Sequence, residues 1–312
     1  MSDHGREAAI AVGALTFDAT TRGKPGDPLV LLLHGFPQTR YTWRHQLAPL
    51  ADAGYLAAAP DQRGYSPGAR PRGIEHYATE LLVGDAIGMM QSLGYERAHV
   101  VGHDWGGQLA WLLAAHHPER VETLTVLSRP HPQAFAESFH RDVAQAERSK
   151  HHRAFQDPDT ARLLLEDDAR RLRRSFSNQG VPAADQDAYL AVLGNVEALD
   201  AAINWYRAGG SRSGDRSHSR VGRSHSRGGR SHGRGGRSHG RVTVPTLYIW
   251  GDADATVGRV AAAATADFVD GPYRFEVLPG VGHFITDQAG AKVTELLLDH
   301  LSGAATRGSR HG

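Results

Sequence analysis

Asp104 lies between two glycines in Gly102-His103-Asp104-Trp105-Gly106-Gly107. An apolar run (His99-Val100-Val101) stops there, and a helical pattern (Gln108-Leu109-Ala110-Trp111-Leu112-Leu113) starts near Gly106. A strand that turns sharply into a helix puts the central residue in a cramped backbone conformation and thrusts its side chain above the sheet. Glycines two residues to either side leave room for that turn. Gly-x-Asp-x-Gly therefore presents a carboxylate as a nucleophile. Attack by a carboxylate on an acyl carbon would give an anhydride. Attack on an sp3 carbon gives an ordinary ester, which water can cleave at the Asp104 carbonyl. The expected substrate is an alkyl electrophile rather than a carboxylic ester, and cleavage of the ester calls for a base with a group to orient it.

Holding such a side chain takes a sheet. Leu29–Leu33 is continuously apolar between Pro28 and His34-Gly35, the mark of a central strand buried on both faces. Residues 8–17 alternate loosely and suggest one or two leading strands. Residues 43–53 read as a helix and residues 55–59 as a strand, closed by Pro60 and Asp61-Gln62-Arg63-Gly64-Tyr65-Ser66-Pro67. Asp61-Gln62-Arg63-Gly64 is read as scaffold rather than chemistry. Residues 77–93 are amphipathic, with Leu81, Leu82, Ala86, Met89, Met90 and Leu93 at helical spacing. After the sharp turn at Asp104, the nucleophile elbow, Val121–Leu127 is another strand. Strands alternating with helices of this length imply a parallel sheet covered on both sides.

The alternation breaks at Arg129-Pro130-His131-Pro132. From there to about residue 207 the pattern is helical throughout, most heavily charged over residues 159–174. Strand texture returns at residues 246–250 and at Tyr273–Leu278, and residues 289–301 close with a helix carrying Val293, Leu296, Leu297 and Leu301 in phase. An all-α insertion in an α/β domain has the shape of a lid over a site. The boundaries are residues 1–128 for the first part of the core, 129–241 for the helical cap and 242–312 for the rest of the core.

Two late stretches, Trp250-Gly251-Asp252-Ala253-Asp254 and Gly280-Val281-Gly282-His283-Phe284, supply an acid just past one strand and a histidine after the next. The chain order is then nucleophile, acid, histidine. Together with His34-Gly35-Phe36-Pro37, Tyr41-Thr42-Trp43-Arg44 and Asn204-Trp205-Tyr206-Arg207, these motifs resemble the epoxide hydrolase branch of the α/β-hydrolases, which is shared with haloalkane dehalogenases. The resemblance covers nearly the whole chain and implies an α/β-hydrolase fold with an inserted all-α cap. It implies Asp104 as nucleophile and His283 as the base that activates water. Asp254 rather than Asp252 would hold the imidazole, because the acid is the later residue of Gly-x-x-Asp. The backbone N–H groups of Phe36 and Trp105 would stabilise the tetrahedral oxyanion, one such donor being worth about 3 kcal/mol.

The leaving group separates the two branches. A halide is held by weak N–H donors, usually the Trp after the nucleophile and an Asn after His-Gly; Trp105 is present, but the second position is Phe36, whose side chain cannot donate. An epoxide leaves as an alkoxide and needs a proton or a strong hydrogen bond, which a cap tyrosine with a pKa near 10 supplies. Tyr206 takes that place. The second tyrosine of the pattern Ser-x-Tyr-x-x-x-Phe falls on Ser149-Lys150-His151-His152-Arg153-Ala154-Phe155, so His151 stands where a tyrosine is usual, with His152 as the alternative that turns inward. The reaction implied is epoxide plus water to vicinal diol on a small-molecule substrate, with neither cofactor nor metal. A haloalkane or haloacid dehalogenase using the same triad is the alternative. His116, His117 and His131 are read as surface residues.

Composition bounds the remaining choices. At 312 residues the chain exceeds a typical single domain. It has no cysteine, which excludes disulfides, a thiolate nucleophile and Cys-ligated zinc. The start, Met-Ser-Asp-His-Gly-Arg-Glu, carries both charge signs with no apolar stretch behind it, and no run approaches the roughly 18 apolar residues of a membrane span. The reading is a soluble cytoplasmic protein. The net charge of +1 hides an asymmetry: residues 207–241 hold ten Arg against one acid, Asp215. Within that tract, from about residue 208, Arg216-Ser-His-Ser-Arg-Val-Gly recurs from Arg223 and Arg230 and begins again at Arg237. No position of the seven-residue period is consistently apolar, so it is no coiled coil, and disorder is expected. RNA or polyanion binding through its arginines is one reading, and its histidines offer an adventitious metal site. Tandem expansion of a short repeat in a tolerant lid loop is preferred, because the repeats are nearly identical and have no aromatic side chain to stack on a base.

Overall fold

Leu29–Leu33 holds five consecutive aliphatic residues, none more than 1% exposed. In the computed structural model, which describes residues 5–210 and 240–308, this run is β3, a central strand of an eight-stranded sheet. The elements ahead of the elbow are β1 (Arg6–Val12), β2 (Leu15–Arg22), β3, α1 (Arg44–Asp52), β4 (Leu56–Pro60), α2 (Thr79–Ser92) and β5 (Ala98–His103). Then come α3 (Trp105–His116), β6 (Val121–Leu127) and a run of helices without a strand: α4 (Pro132–Arg141), α5 (Val143–Arg148), α6 (His151–Ala154), α7 (Thr160–Asn178), α8 (Ala183–Leu193) and α9 (Val196–Gly210). The chain closes with β7 (Thr246–Gly251), α10 (Arg259–Ala264), β8 (Tyr273–Leu278), α11 (Ile285–Gln288) and α12 (Gly290–Gly308).

The strand order is β1-β2-β4-β3-β5-β6-β7-β8, parallel from β4 to β8, with β2 antiparallel to both its neighbours. Side chains alternate across a strand, so Leu29, Leu31 and Leu33 join the core shared with α2 and α3, while Val30 and Leu32 join the one shared with α1 and α12. Burial on both faces is why this strand reads as an unbroken apolar run rather than an alternating one. The chain leaves β3 for β4 on one side and reaches β5 on the other. A crevice opens beyond the carboxyl ends of strands at such a switch point. This is an α/β-hydrolase fold, with the helical insert α4–α9 between β6 and β7.

Three expectations need correction. Leu81 is 42% exposed, so the buried stripe of α2 is narrower than the spacing suggested. The charged helix α7 is broken at Glu166–Ala169, where Asp167, Asp168 and Ala169 take φ of +54°, +57° and +56°. The break lets Leu164 before it and Leu172 after it face the same cavity. His131 is buried rather than at the surface: flanked by two prolines at the start of α4, it stacks on Phe268 with centroids 4.8 Å apart and accepts the Gln133 N–H at 3.3 Å. The Arg-Ser-His repeats lie outside the described residues. Among the described residues no helix is long and apolar enough to cross a membrane.

Candidate active site

The elbow is assembled by close approach of backbones. Asp104 sits between the end of β5 and the start of α3 with φ +50° and ψ −115°. A Cβ at Gly102 would lie 2.3 Å from the Gly106 carbonyl oxygen, and one at Gly106 would lie 2.1 Å from the Leu33 carbonyl oxygen. A Cβ at Gly35 would lie 2.5 Å from the Asp104 Cβ. Any side chain at these three positions would push the strand, the helix or the Phe36 loop away. A non-glycine residue at such φ costs roughly 1–3 kcal/mol and persists where its surroundings over-determine it.

Asp104, Asp254 and His283 are brought together from the ends of β5, β7 and β8, each at most 5% exposed. His283 Nδ1 lies 2.8 Å from Asp254 Oδ2, and its Nε2 lies 3.4 Å from Asp104 Oδ2. The other oxygen of each carboxylate is held by backbone. Asp254 Oδ1 accepts the N–H groups of Thr256 and Val257 at 2.7 and 2.9 Å, and Asp104 Oδ1 accepts the Phe36 N–H at 3.1 Å. Asp252 is placed elsewhere: its Oδ1 accepts the Gly280 N–H at 2.7 Å in an exposed turn. Trp105 opens α3, so its N–H is one of the donors that no helical carbonyl takes. Burial would raise the Asp104 carboxyl, but His283, with smaller help from Arg129 and His103, holds it well below the usual carboxylate range. Burial would lower the His283 imidazole, yet the flanking carboxylates outweigh it and raise its pKa to about 10.

Two further histidines brace this arrangement and were not singled out by motif reading. His103 Nε2 lies 2.8 Å from the His283 carbonyl oxygen and must donate to it, which fixes the loop that carries the imidazole. His34 Nε2 accepts the Gln62 N–H at 3.2 Å while Gln62 Nε2 donates to the His34 carbonyl at 2.7 Å, stitching the loops after β3 and β4. Burial lowers these two imidazoles to about 4 and about 3, so both are neutral. Arg63 pairs with Asp85 through two 2.7 Å bonds and its carbonyl accepts Trp205 Nε1–H at 2.8 Å, a scaffold role for that loop. Both histidines sit inside the quoted motifs at strand ends, which was the available signal; what they hold is decided by packing alone.

Above Asp104 lies a cavity of about 220 Å³, bordered by Phe36, His151, Phe155, Tyr206 and His283. Tyr206 is 7% exposed, with its ring edge-on to Trp105 at 5.0 Å, Phe155 at 4.7 Å and Phe36 at 5.4 Å. Burial, then the Asp104 charge, pushes its phenol well above 10. His151 reaches the cavity wall, its ring 6.0 Å from that of Tyr206. His152 packs on Tyr206 at 5.2 Å and on His151 at 4.6 Å, and burial lowers its imidazole to about 3. Arg207 staples this wall together: it donates to Asp200 at 2.8 Å, Asn204 at 2.9 Å and the Phe155 carbonyl at 3.1 Å. Among the described residues no group of histidines and acids has the arrangement of a metal site.

The chain belongs to the α/β-hydrolases: the family model described as alpha/beta hydrolase fold matches residues 28–289. Within them it falls in the epoxide hydrolase-like branch. It is 32% identical to Epoxide hydrolase A of Mycobacterium tuberculosis (strain ATCC 25618 / H37Rv), across 96% of this chain and 98% of that protein. It is 33% identical to Epoxide hydrolase 4 of Mus musculus, across 88% of this chain and 73% of that protein. The crystal structure of Epoxide Hydrolase A from Mycobacterium thermoresistibile matches at a TM-score of 0.77 and 28% identity, over 96% of this chain and 98% of that one.

Proposed function

We propose that the protein hydrolyses an epoxide to a vicinal diol through an ester on Asp104. The observation that carries this reading is the division of labour on the Asp104 carboxylate. Oδ1 is held by the Phe36 N–H, Oδ2 lies 3.4 Å from His283 Nε2, and Asp104 lines the cavity bordered by Tyr206 and His151. Oδ2 attacks a ring carbon, the C–O bond breaks, and its electron pair stays on the epoxide oxygen. That alkoxide is far more basic than even a buried phenol, so it takes the Tyr206 proton with the His151 N–H as second donor. With the ester formed, the His283 imidazolium gives up its proton, which passes to the Tyr206 phenolate. The freed imidazole then takes a proton from the water that attacks the ester carbonyl, and Oδ1 becomes an oxyanion facing the Phe36 and Trp105 N–H groups. Collapse breaks the bond to Oδ2 and the intermediate's hydroxyl proton passes to the departing diol oxygen, which restores the Asp104 carboxylate with His283 again protonated and Tyr206 again neutral. Atoms balance as epoxide plus water, and the helices α4–α9 serve as the cap over this site.

The pKa of His283 supports the order of the steps. Between two carboxylates it is an imidazolium and cannot act as a base. Esterification neutralises Asp104 and withdraws one of the charges that keep it protonated, so the base is released only after the ester exists. Halide chemistry is disfavoured by Phe36, whose ring is edge-on to Phe155 at 5.2 Å and has no N–H to offer an anion. A panel of epoxides and alkyl halides, scored together for diol and for released halide, tests the reading. Diol without halide is expected; halide release with no diol from any epoxide overturns it.

A further inference from the structure

Arg129, two residues past β6, is a buried cation without a carboxylate partner among the described residues. It is 7% exposed. Its guanidinium donates twice to one neutral acceptor, Gln108 Oε1, at 3.1 and 3.2 Å. It lies 4.4 Å from the Phe135 ring centroid and 5.8 Å from that of Trp105. Removing a guanidinium from water is costly, and scaffold arginines recover that cost on an acid, as Arg63 does on Asp85. The acids in its field are those of the site, Asp104 and Asp254, with the phenols of Tyr206 on α9 and Tyr248 on β7, and its charge in turn bears on His151 and His152 of α6. Trp105 lies against both the guanidinium and the Tyr206 ring.

Counting charge through the proposed reaction, on which this inference rests, gives that cation a use. Before ring opening, Asp104 and Asp254 are negative and His283 and Arg129 positive, a neutral set. As the Asp104 oxygen bonds to carbon and the ring C–O pair moves to the epoxide oxygen, the negative charge leaves Asp104 and reappears beside Tyr206. We propose that Arg129 is the electrostatic positioning residue of this step: a fixed countercharge behind Trp105 that holds the field positive where the alkoxide forms. His151 in place of a second phenol makes that field more necessary, since its neutral ring is a weaker proton donor than a phenol.

The experiment uses the full chain carrying His283→Gln, in which the ester accumulates, with Arg129→Met and Arg129→Lys added singly and styrene oxide and glycidyl phenyl ether as probes. Arg129→Met is expected to slow ester formation about 30-fold, and Arg129→Lys by no more than about threefold. The His151 Hε1 resonance, assigned by its loss in His151→Gln, is expected to titrate at higher pH in Arg129→Met, because a like charge is gone, and to stay in place in Arg129→Lys. Equal loss in both variants with an unmoved titration, or no loss in Arg129→Met, overturns the proposal. If Arg129→Met does not fold, Arg129→Gln takes its place; failure of both neutral variants to fold assigns the residue to the scaffold and also overturns it. Absence of any ester with Arg129 intact counts against the epoxide reading itself. The substrate-free His151 titration then still decides whether the field of Arg129 reaches the cap.

Discussion

At the scale of single residues, the protonation of His283 is set by what Asp104 carries. Raised to about 10 by its carboxylate neighbours, the imidazole holds its proton through neutral pH. Asp104→Asn removes one of those carboxylates as esterification does, so the His283 pKa is expected to fall well below 10 in that variant. A titration of the His283 Hε1 resonance by NMR measures this, and an unchanged pKa contradicts the proposed release of the base. Tyr206→Phe is expected to slow ring opening by roughly 100-fold, a typical contribution of one general acid, and His151→Phe by less; single-turnover mixing separates the two. That Asp104, Asp254 and His283 meet was legible in the sequence because short glycine-bearing motifs mark where each must sit. Asp254 and Asp252 are both acids past β7, and geometry separates them: two backbone N–H groups aim the Asp254 carboxylate at His283, while Asp252 caps an exposed turn. Arg129 carries no such mark, because nothing local in the sequence tells a buried arginine from a solvated one.

At the scale of elements, β3, β6 and β8 could be read to their ends: β3 is a continuous apolar run between Pro28 and His34-Gly35, β6 is rich in β-branched residues ahead of Ser128-Arg129-Pro130, and β8 alternates between Pro272 and Pro279. The break in α7 could not be read. Its sequence, Leu-Leu-Glu-Asp-Asp-Ala-Arg-Arg, has ordinary helix formers and no glycine or proline to mark three successive left-handed residues. That conformation makes a test possible. In a regular helix a glycine costs about 1 kcal/mol relative to alanine, but at φ +54° it relieves strain of about 1–2 kcal/mol. Asp167→Gly gives up only an exposed ion pair with Arg170 and is expected to stabilise the protein by ~1 kcal/mol, seen as a higher urea midpoint. Destabilisation would mean that the segment is continuous helix. At the elbow the sign reverses: Gly106→Ala drives a Cβ to 2.1 Å from the Leu33 carbonyl oxygen, and loss of folded protein is the expected result.

At the scale of the whole molecule, the helical insert is tied to the core by charge. Arg44, ahead of β4, bonds Asp287 past His283 at 2.7 Å and Asp185 of α8 at 2.8 Å. Buried histidines then set how stability responds to acid. His34 and His103 have folded pKa values of about 3 and about 4, below the unfolded value near 6.5, so the unfolded chain binds protons that the folded one refuses. Stability is lost as pH falls from 6.5 toward 4. Asp61, raised to about 6 by burial, opposes one of these two, leaving a slope from the three of about one proton, ~1.4 kcal/mol per pH unit. On the alkaline side the His283 imidazolium stabilises fully below 6.5, and its contribution is lost as pH rises through about 10. Urea midpoints are therefore expected to peak near neutrality, and His103→Gln is expected to flatten the acid slope. The most direct measurement is the intact mass of His283→Gln protein after incubation with an epoxide, followed by peptide mapping. A gain equal to the whole epoxide, located on Asp104 and absent when Asp104→Asn is added, is the result expected; no adduct with any of a broad panel of epoxides, or an adduct on another residue, contradicts an ester on Asp104.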